Sequence, residues 1–438
     1  MFGLRPHEDS SLRTHTKITR HIYWILVPLL MMPFCVSAEE PELQFTSETI
    51  LTAFERHDSK GESQQVLPIY EYMQLDFGQL ETTGLSLHLH GWLRSDVGEG
   101  GYFDEDNDGE LLYGFVEYMP LSNAFNLKIG RQHLFSGIAN DSIDGIKVKT
   151  IFNTFVTLEL FVGVPTTLEE ENGRSGDSIL GGRSAFFLGK WSQAGLSYMK
   201  TTDDGETVEN MVGLDTSLGL SALLTLHGLS SWNVDTKEWR EHSYEAALAL
   251  DPLLLKPSYQ AYRFEDYFSE DDTDLQPFRY LQDTEEKLLI TGADVILQQN
   301  PGFDTGIRFK QYEYDQREET SRYTAALLNF YASNATRYGF EGGIMGSESS
   351  ENRYQLGRGY LFWGAPFGAG ESWYMSLDML FIQYDEDIYG KDHSWFVSLG
   401  GGKHLLDDTL QLEISGDYSS DPYFDEDARV TVVLKYDY

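Results

Sequence analysis

The chain has 438 residues, with 70 Asp and Glu against 32 Lys and Arg, and a formal net charge of -38. This acidic excess excludes nucleic acid as a partner because it repels the phosphate backbone. Hydrophobic residues make up 41% and aromatic residues 14% of the sequence, which excludes global disorder. A mean hydropathy of -0.36, with one apolar run near the roughly 20 residues of a spanning helix, excludes a polytopic helical membrane protein.

That apolar run lies near the start of the chain. Basic residues precede the segment IYWILVPLLMMPF, and the small residues Ser37 and Ala38 follow it. The pattern predicts a secretory signal peptide over 1–38, followed by a short periplasmic segment over 39–44. An uncleaved anchor helix is the alternative, and two prolines within the run weigh against it. Cys35 is the only cysteine, so the mature chain has no disulfide and no cysteine-ligated metal or haem.

Beyond the signal peptide, apolar residues recur at every second position, which is typical of strands with one apolar and one polar face. In 85–94, leucines alternate with serine, histidine and arginine. In 410–418 and 429–438, apolar residues alternate with charged and small polar residues. No later stretch keeps a helical period of comparable length, so the sequence predicts an all-β protein.

Segments of about ten residues recur along some 400 residues, whereas a soluble β-sandwich has shorter strands and closes sooner. The pattern therefore predicts a single transmembrane antiparallel β-barrel over 45–438, with about 22 strands in a range of 18–22. The predicted strands are 45–56, 66–77, 84–94, 110–119, 124–132, 143–151, 155–163, 178–190, 194–200, 207–217, 220–230, 239–250, 253–265, 285–297, 303–314, 321–333, 336–346, 353–363, 372–384, 394–402, 410–418 and 429–438.

The connections between these strands alternate in length. Short ones include 218–219 and 251–252, while longer acidic ones include 266–284 and 385–392. Short turns at one rim and long loops at the other indicate periplasmic turns and extracellular loops, with both termini on the periplasmic side. Aromatic residues at segment ends suit the two interfacial girdles of a membrane barrel. These are Tyr118, Phe152, Trp191, Trp232, Trp239, Trp363, Trp373, Trp395 and Tyr418.

The last strand carries the first family resemblance. Its alternating row consists of Val430, Val432, Leu434, Tyr436 and the terminal Tyr438. This row resembles the assembly signal of Gram-negative outer-membrane barrels. The resemblance implies insertion by the barrel-assembly machinery and a location in the cell outer membrane of a Gram-negative bacterium, with outer-membrane lipid around the wall.

A second resemblance covers mainly the first half of the barrel. The runs DGELLYGFVEYMPLS (108–122), LKIGRQHLFSG (127–137), IDGIKV (143–148) and NGRSGDSILGGR (172–183) are similar to an uncharacterised porin-like family of proteobacteria. This resemblance implies a pore-forming architecture and carries over no catalytic residue.

The polar members of the alternating rows are candidates to line a pore, because the inner wall of such a barrel is polar. They are His88, His90, Arg94, Lys128, Glu159, Lys256, Arg308, Lys310, Asp378, Glu413, Asp417 and Lys435. The bases among them, together with Arg429, would form a basic stripe opposite the acids, so the narrowest part of the pore would be mixed in charge.

The sequence contains few patterns that indicate a metal site or an enzyme active site. Asp104, Asp106 and Asp108 alternate as in a calcium loop, but Phe115 stands where the twelfth-position glutamate belongs, so at most weak Ca²⁺ binding is expected. The pair His88 and His90 lacks a third metal ligand nearby. Metalloprotease, serine hydrolase, P-loop and haem motifs are missing from the sequence. We therefore expect no enzyme and no cofactor.

Two hypotheses follow for function. The first is a porin-like channel for passive diffusion of small hydrophilic solutes or ions, with a modest cation preference and with infolded loops such as 266–284 or 133–142 narrowing the lumen. The second is a structural or interaction barrel that sheaths an electron-transfer protein or an exported polymer, or displays its acidic loops as a binding surface. Solute and oligomeric state stay open. The few residues between signal peptide and first strand disfavour energy-coupled import through a plugged barrel.

The signal-peptide interpretation makes a direct prediction. Export should remove residues 1–38, because small residues follow the apolar core at the cleavage positions. N-terminal sequencing of the membrane-extracted protein should begin at Glu39, and a retained Met1 would contradict the predicted export route.

Overall fold

The computed structural model describes residues 41–57, 63–80, 83–99, 102–103, 105–120, 125–166, 177–189, 191–264, 285–333, 335–367, 371–406, 408–422 and 426–438. The predicted signal peptide and the loop 266–284 lie outside these ranges. Within them, no helix has the length and the apolarity needed to cross a membrane.

Twenty-three β-strands make up nearly all of the described chain. They are β1 Glu42–His57, β2 Ser63–Val66, β3 Pro68–Gly78, β4 Gly84–Asp96, β5 Asn107–Met119, β6 Phe125–His133, β7 Ser142–Asn153, β8 Val156–Pro165, β9 Ser178–Phe187, β10 Ser192–Asp203, β11 Glu206–Gly219, β12 Leu224–Asn233, β13 Glu238–Leu250, β14 Leu253–Arg263, β15 Lys287–Asn300, β16 Phe303–Tyr314, β17 Glu319–Ser333, β18 Thr336–Ser347, β19 Tyr354–Phe367, β20 Glu371–Ile388, β21 Lys391–Leu405, β22 Leu410–Ser420 and β23 Asp427–Asp437.

β2 and β3 are two parts of one wall strand. Both pair with β1 in a single continuous register, from Phe54 opposite Val66 to Glu42 opposite Gly78. The ladder is interrupted only at Leu67, next to Pro68, whose ring nitrogen has no hydrogen to donate. The wall therefore contains 22 strands, as predicted.

The wall closes on itself. From β3 to β23, each strand pairs antiparallel with the next strand in the chain, and β1 pairs with both β3 and β23. The closing ladder runs from Thr46 opposite Asp437 to Phe54 opposite Arg429. Closure leaves no open sheet edge, so the backbone N–H and C=O groups of every wall strand have strand neighbours on both sides.

Large apolar side chains cover the outer face. Ile344, Ile414, Leu160 and Leu399 are 61%, 52%, 52% and 52% exposed to the surroundings of the barrel. A water-soluble protein does not display so large a continuous apolar surface, whereas the lipid-facing band of a membrane barrel requires one. The row from Val430 to Tyr438 in the last strand belongs to this outward face, since Val432 lies opposite Leu51 and Ile414.

Aromatic side chains gather at two levels of the outer wall. Trp363 packs edge to face on Trp373 at the rim of the termini, with ring centroids 4.4 Å apart. Trp232 packs on Trp239 in the same way near the opposite rim, at 5.0 Å. Trp395 and Tyr418 form a further pair there, at 4.6 Å. These levels match the aromatic girdles of a membrane barrel.

Each predicted strand corresponds to one wall strand, but some boundaries were wrong. The predicted turn at 218–219 belongs to β11, and the chain turns at 220–223 instead. The predicted loop 385–392 is mostly strand, because β20 and β21 continue beyond the wall to a two-residue turn at Tyr389 and Gly390, both with positive φ. Polar strand ends that extend past the membrane lose the apolar alternation from which strands are predicted.

The closed wall predicts opposite results for two neighbouring substitutions in β23. Val432→Arg places a charge on the lipid-facing surface, where it costs about 2–4 kcal/mol near the bilayer midplane. Thr431→Arg places the same charge on the inner face, opposite Thr52 and Ser415. We expect loss of the heat-modifiable folded band on gels for Val432→Arg and normal folding for Thr431→Arg. Equal folding of both variants would contradict the assignment of the two faces.

Candidate solute pathway

The inner face of the wall carries the polar members of the alternating rows. Successive side chains of a strand point to opposite faces, so the outward position of Leu93 places His88, His90 and Arg94 inside. The same alternation places the other predicted pore-lining residues on the inner face: Lys128, Glu159, Lys256, Arg308, Lys310, Asp378, Glu413, Asp417 and Lys435.

Acids and bases lie close together at many places on this inner wall. Arg308 lies 3.0 Å from Asp294 and 3.2 Å from Glu341, and Glu341 also accepts a hydrogen bond from the Tyr323 hydroxyl. Several bases of the predicted basic stripe, such as Arg308, therefore lie in direct contact with acids of the same or nearby strands. Further inner-wall pairs are Lys128–Glu117, Lys147–Glu159, Arg183–Asp215, Arg240–Glu209, Arg358–Asp378 and Lys435–Asp437.

One loop folds into the lumen from the rim opposite the termini. Residues 134–141 connect β6 to β7 and form a small closed turn, in which the Leu134 N–H donates to the Asp141 carbonyl at 2.6 Å. The Ile138 N–H donates to Ser197 Oγ on the wall at 3.2 Å. Gly213 makes this approach possible, since a Cβ at that position would overlap the Ile138 side chain. This loop lies within 133–142, one of the two segments predicted to fold inward.

The infolded loop is held by a small apolar core on the lumen side of the wall. Leu134 and Ala139 of the loop pack against wall side chains of β7 to β10. The wall members of this core are Ile143, Phe161, Ile179 and Met199, each no more than 4% exposed. Burying a side chain such as Leu134 contributes about 1.5–3 kcal/mol, so the loop is anchored to the wall rather than suspended in solvent.

A recess of about 760 Å³ opens between the infolded loop and the wall. Its charged lining includes Arg183 and Arg240 beside Asp215 and Glu209, each base in contact with one acid. Asp141 of the loop faces the same space, and its pKa is raised because burial desolvates the carboxylate and Glu209 repels its charge. The narrowed part of the lumen therefore offers both signs of charge to a passing solute.

The two histidines of β4 have different surroundings. His88 places Nδ1 2.5 Å from Asp76 and Nε2 2.8 Å from Ser86. His90 instead packs against the rings of Tyr72 and Tyr113. The sequence did not predict the contacts with Ser86 and Asp76, because Asp76 lies opposite His88 only in the particular register of the β3–β4 hairpin.

The predicted weak calcium site is only partly within the described residues, since Asp104 lies outside them. Asp108 contacts Arg94 at 3.5 Å and accepts the Gly109 N–H at 2.7 Å. The carbonyl of Asp106 accepts the Asp96 N–H at 2.7 Å. The Asp108 carboxylate therefore already has a cationic partner within the protein.

Closure, an apolar outer band, aromatic girdles and a polar inner wall together define the class of protein. The chain is a transmembrane β-barrel of the Gram-negative outer-membrane type, and the outer membrane is where such a barrel resides. The predicted fold class, location and resemblance to outer-membrane barrels are confirmed.

Comparison with known proteins finds similarity in fold only. No protein-family model matches the chain, and no curated protein matches it. Among solved structures, it is similar to Acinetobacter baumannii OccAB1, with a TM-score of 0.45, 9% identity, and coverage of 92% of this chain and 98% of that one.

Two further solved structures show a similar degree of likeness. Pseudomonas aeruginosa OpdQ aligns with a TM-score of 0.44 at 10% identity, over 91% of this chain and 99% of that one. A BenF-like porin from Pseudomonas fluorescens Pf-5 aligns with a TM-score of 0.42 at 9% identity, over 91% and 98%. The barrel assignment rests on the strand pairing and the outward apolar surface of this chain.

The infolded loop can be tested by a designed disulfide. A Cβ at Gly213 would lie 3.2 Å from the Cβ of Ile138, a few tenths of an ångström short of the 3.5–4.5 Å that a disulfide spans. The double variant Ile138→Cys and Gly213→Cys should therefore oxidise readily and become unreactive to maleimide. The control pair Ile138→Cys and Gly357→Cys should keep both thiols, because a Cβ at Gly357 would have no atom within 4 Å. Two reactive thiols in the first variant would contradict the infolded position of the loop.

Proposed function

We propose that this barrel is a water-filled channel for passive diffusion of small hydrophilic solutes or ions. The observation that carries the proposal is the inner wall, where charged side chains face a lumen enclosed by an apolar outer surface. Ion pairs such as Arg308 with Asp294 and Arg358 with Asp378 need water or polar solutes around their remaining donors and acceptors. A lumen filled with water and small polar solutes provides these partners.

The infolded loop 134–141 supports a diffusion channel with a narrowed passage. The loop is anchored by buried apolar side chains, among them Leu134 and Ile143. It therefore reduces the cross-section of the lumen permanently, and passage beside it needs no energy source. Barrels of 16–18 strands already leave an aqueous channel. A wall of 22 strands is wider and keeps room for water beside a loop of this size.

Acidic side chains at the rim opposite the termini, where the longer loops lie, favour a modest preference for cations. Asp204, Asp235, Asp315 and Glu348 lie in the connections of that rim, and a mouth with one sign of charge concentrates the opposite ion. The inner wall, by contrast, pairs acids with bases and therefore adds little net field. Because exposed charges are screened over about 8–10 Å at physiological salt, the preference should be strongest at low ionic strength.

Reversal potentials across a salt gradient in planar bilayers test this proposal. The wild-type protein should conduct and favour cations at low salt, and the preference should fade as salt rises. Changing Asp204, Asp235 and Asp315 to Asn and Glu348 to Gln should reduce the preference. As a control, Asp251→Asn with Asp408→Asn, in the short turns of the other rim, should reduce it less.

Two outcomes would count against the proposal. Anion selectivity would mean that the inner-wall bases, rather than the loop acids, set the field. A folded barrel that shows no conductance would contradict the channel and favour a barrel that sheaths a partner or displays its acidic loops.

A further inference from the structure

Three side chains on the inner wall form a hydrogen-bonded chain near the rim of the termini. The Ser86 hydroxyl oxygen lies 2.8 Å from His88 Nε2, and His88 Nδ1 lies 2.5 Å from Asp76 Oδ1. Asp76 Oδ2 also accepts a hydrogen bond from the Gln74 amide at 2.6 Å. This is the order of contacts in which a carboxylate orients a histidine and the histidine activates a serine.

The fold places these residues by simple strand geometry. Ser86 and His88 are two positions apart in β4 and therefore lie on the same face. Asp76 of β3 is directly opposite His88 in the antiparallel ladder, next to the turn that joins the two strands. All three groups thus sit on regular strands, which hold a constellation more rigidly than loops do.

The surroundings are largely shielded from water. Ser86 and Asp76 are 6% and 9% exposed. Phe115 stacks on the His88 ring with centroids 4.8 Å apart, and Glu117 lies 3.5 Å from His88 Nε2. Glu117 is itself held by the Lys128 ammonium at 3.3 Å, which neutralises the second carboxylate close to the histidine.

Beside this chain lies a recess of about 460 Å³ that opens to the lumen. Asp76, His88 and Phe115 line it, together with Tyr113, Lys128 and Gln132. Its volume is within the range of small-molecule sites. Aromatic walls suit a small apolar acyl group, and the ammonium of Lys128 supplies positive charge on the same recess.

We propose that Ser86 is an activated nucleophile and that this inner-wall site hydrolyses small carboxylic esters. Ser86 Oγ attacks the ester carbonyl carbon while His88 Nε2 takes the hydroxyl proton, and the C–O bond to the alcohol breaks as that proton passes to the leaving oxygen. Water then attacks the acyl-serine, again losing a proton to Nε2. The acid is released and the Ser86 hydroxyl is restored. Asp76 orients the ring and stabilises its protonated form throughout.

The chain offers a comparison on the outer face of the wall, where Ser230 lies opposite Leu214. Ser230 Oγ lies 2.8 Å from a histidine nitrogen, but that nitrogen is Nδ1 of His242, and the same hydroxyl contacts the Tyr244 hydroxyl at 2.6 Å. His242 therefore contacts Ser230 through Nδ1, whereas His88 contacts Ser86 through Nε2. Ser230 should not react as a nucleophile.

The test uses the purified, folded barrel in detergent and a fluorophosphonate probe, which labels activated serines. Wild type and Ser230→Ala should be labelled equally, whereas Ser86→Ala should not be labelled. Hydrolysis of p-nitrophenyl acetate should fall by about 100-fold or more in Ser86→Ala. Asp76→Asn should lower the rate while leaving Ser86 in place, because His88 then loses the group that fixes its orientation.

The heat-modifiable band shows whether each variant has folded, so loss of labelling can be separated from loss of structure. Absence of label on folded wild type, or equal labelling of folded Ser86→Ala, would overturn the proposal. Channel conductance is measured independently of both readouts, so failure of the hydrolase proposal leaves the proposed channel function unaffected.

Discussion

The constraint on which the structure depends is that no backbone hydrogen-bonding group of the wall can face lipid unpaired. Each unsatisfied N–H or C=O in hydrocarbon costs several kcal/mol, so the first strand has to find the last. β1 meets this requirement by pairing with β23 on one side and with β2 and β3 on the other. Even the break at Leu67 keeps the register, because β2 and β3 continue the same ladder.

Closure of the wall, together with the two-residue repeat of the strands, determines which side chains face lipid and which face the lumen. Because one face of the sheet must meet lipid, the positions that point outward are mostly apolar or aromatic, as at Val432 and Ile414. The alternate positions are free to be charged, and neighbouring strands bring acids and bases together there, as at Arg308 and Asp294. The wall next to loop 134–141 departs from this rule, since Ile143 and Phe161 turn apolar groups inward to hold the loop.

The repeat explains why the sequence predicted the wall so well and the lumen less well. Strand number, the face of each candidate residue and the outward terminal row follow from alternation within one segment. Pairing partners do not, because they depend on register across strands, and the contact between Arg308 and Glu341 is one that alternation could not predict. The contact of Ser86, His88 and Asp76 also depends on register. In the structure Gly78 lies opposite Ser86, whereas a simple hairpin loop over 79–83 would put Gly78 opposite Gly84, so the sequence alone could not place Asp76 opposite His88.

A polar inner wall and an anchored loop give the lumen its two properties, hydration and limited width. Both can be measured together by the swelling of liposomes that contain the purified barrel, in isotonic solutions of uncharged sugars of increasing size. The account predicts rapid swelling with the smallest sugar and a rate that falls steadily as the sugar grows, with no energy source present. Absence of swelling with every sugar, in liposomes shown to contain folded barrel, would contradict a water-filled channel.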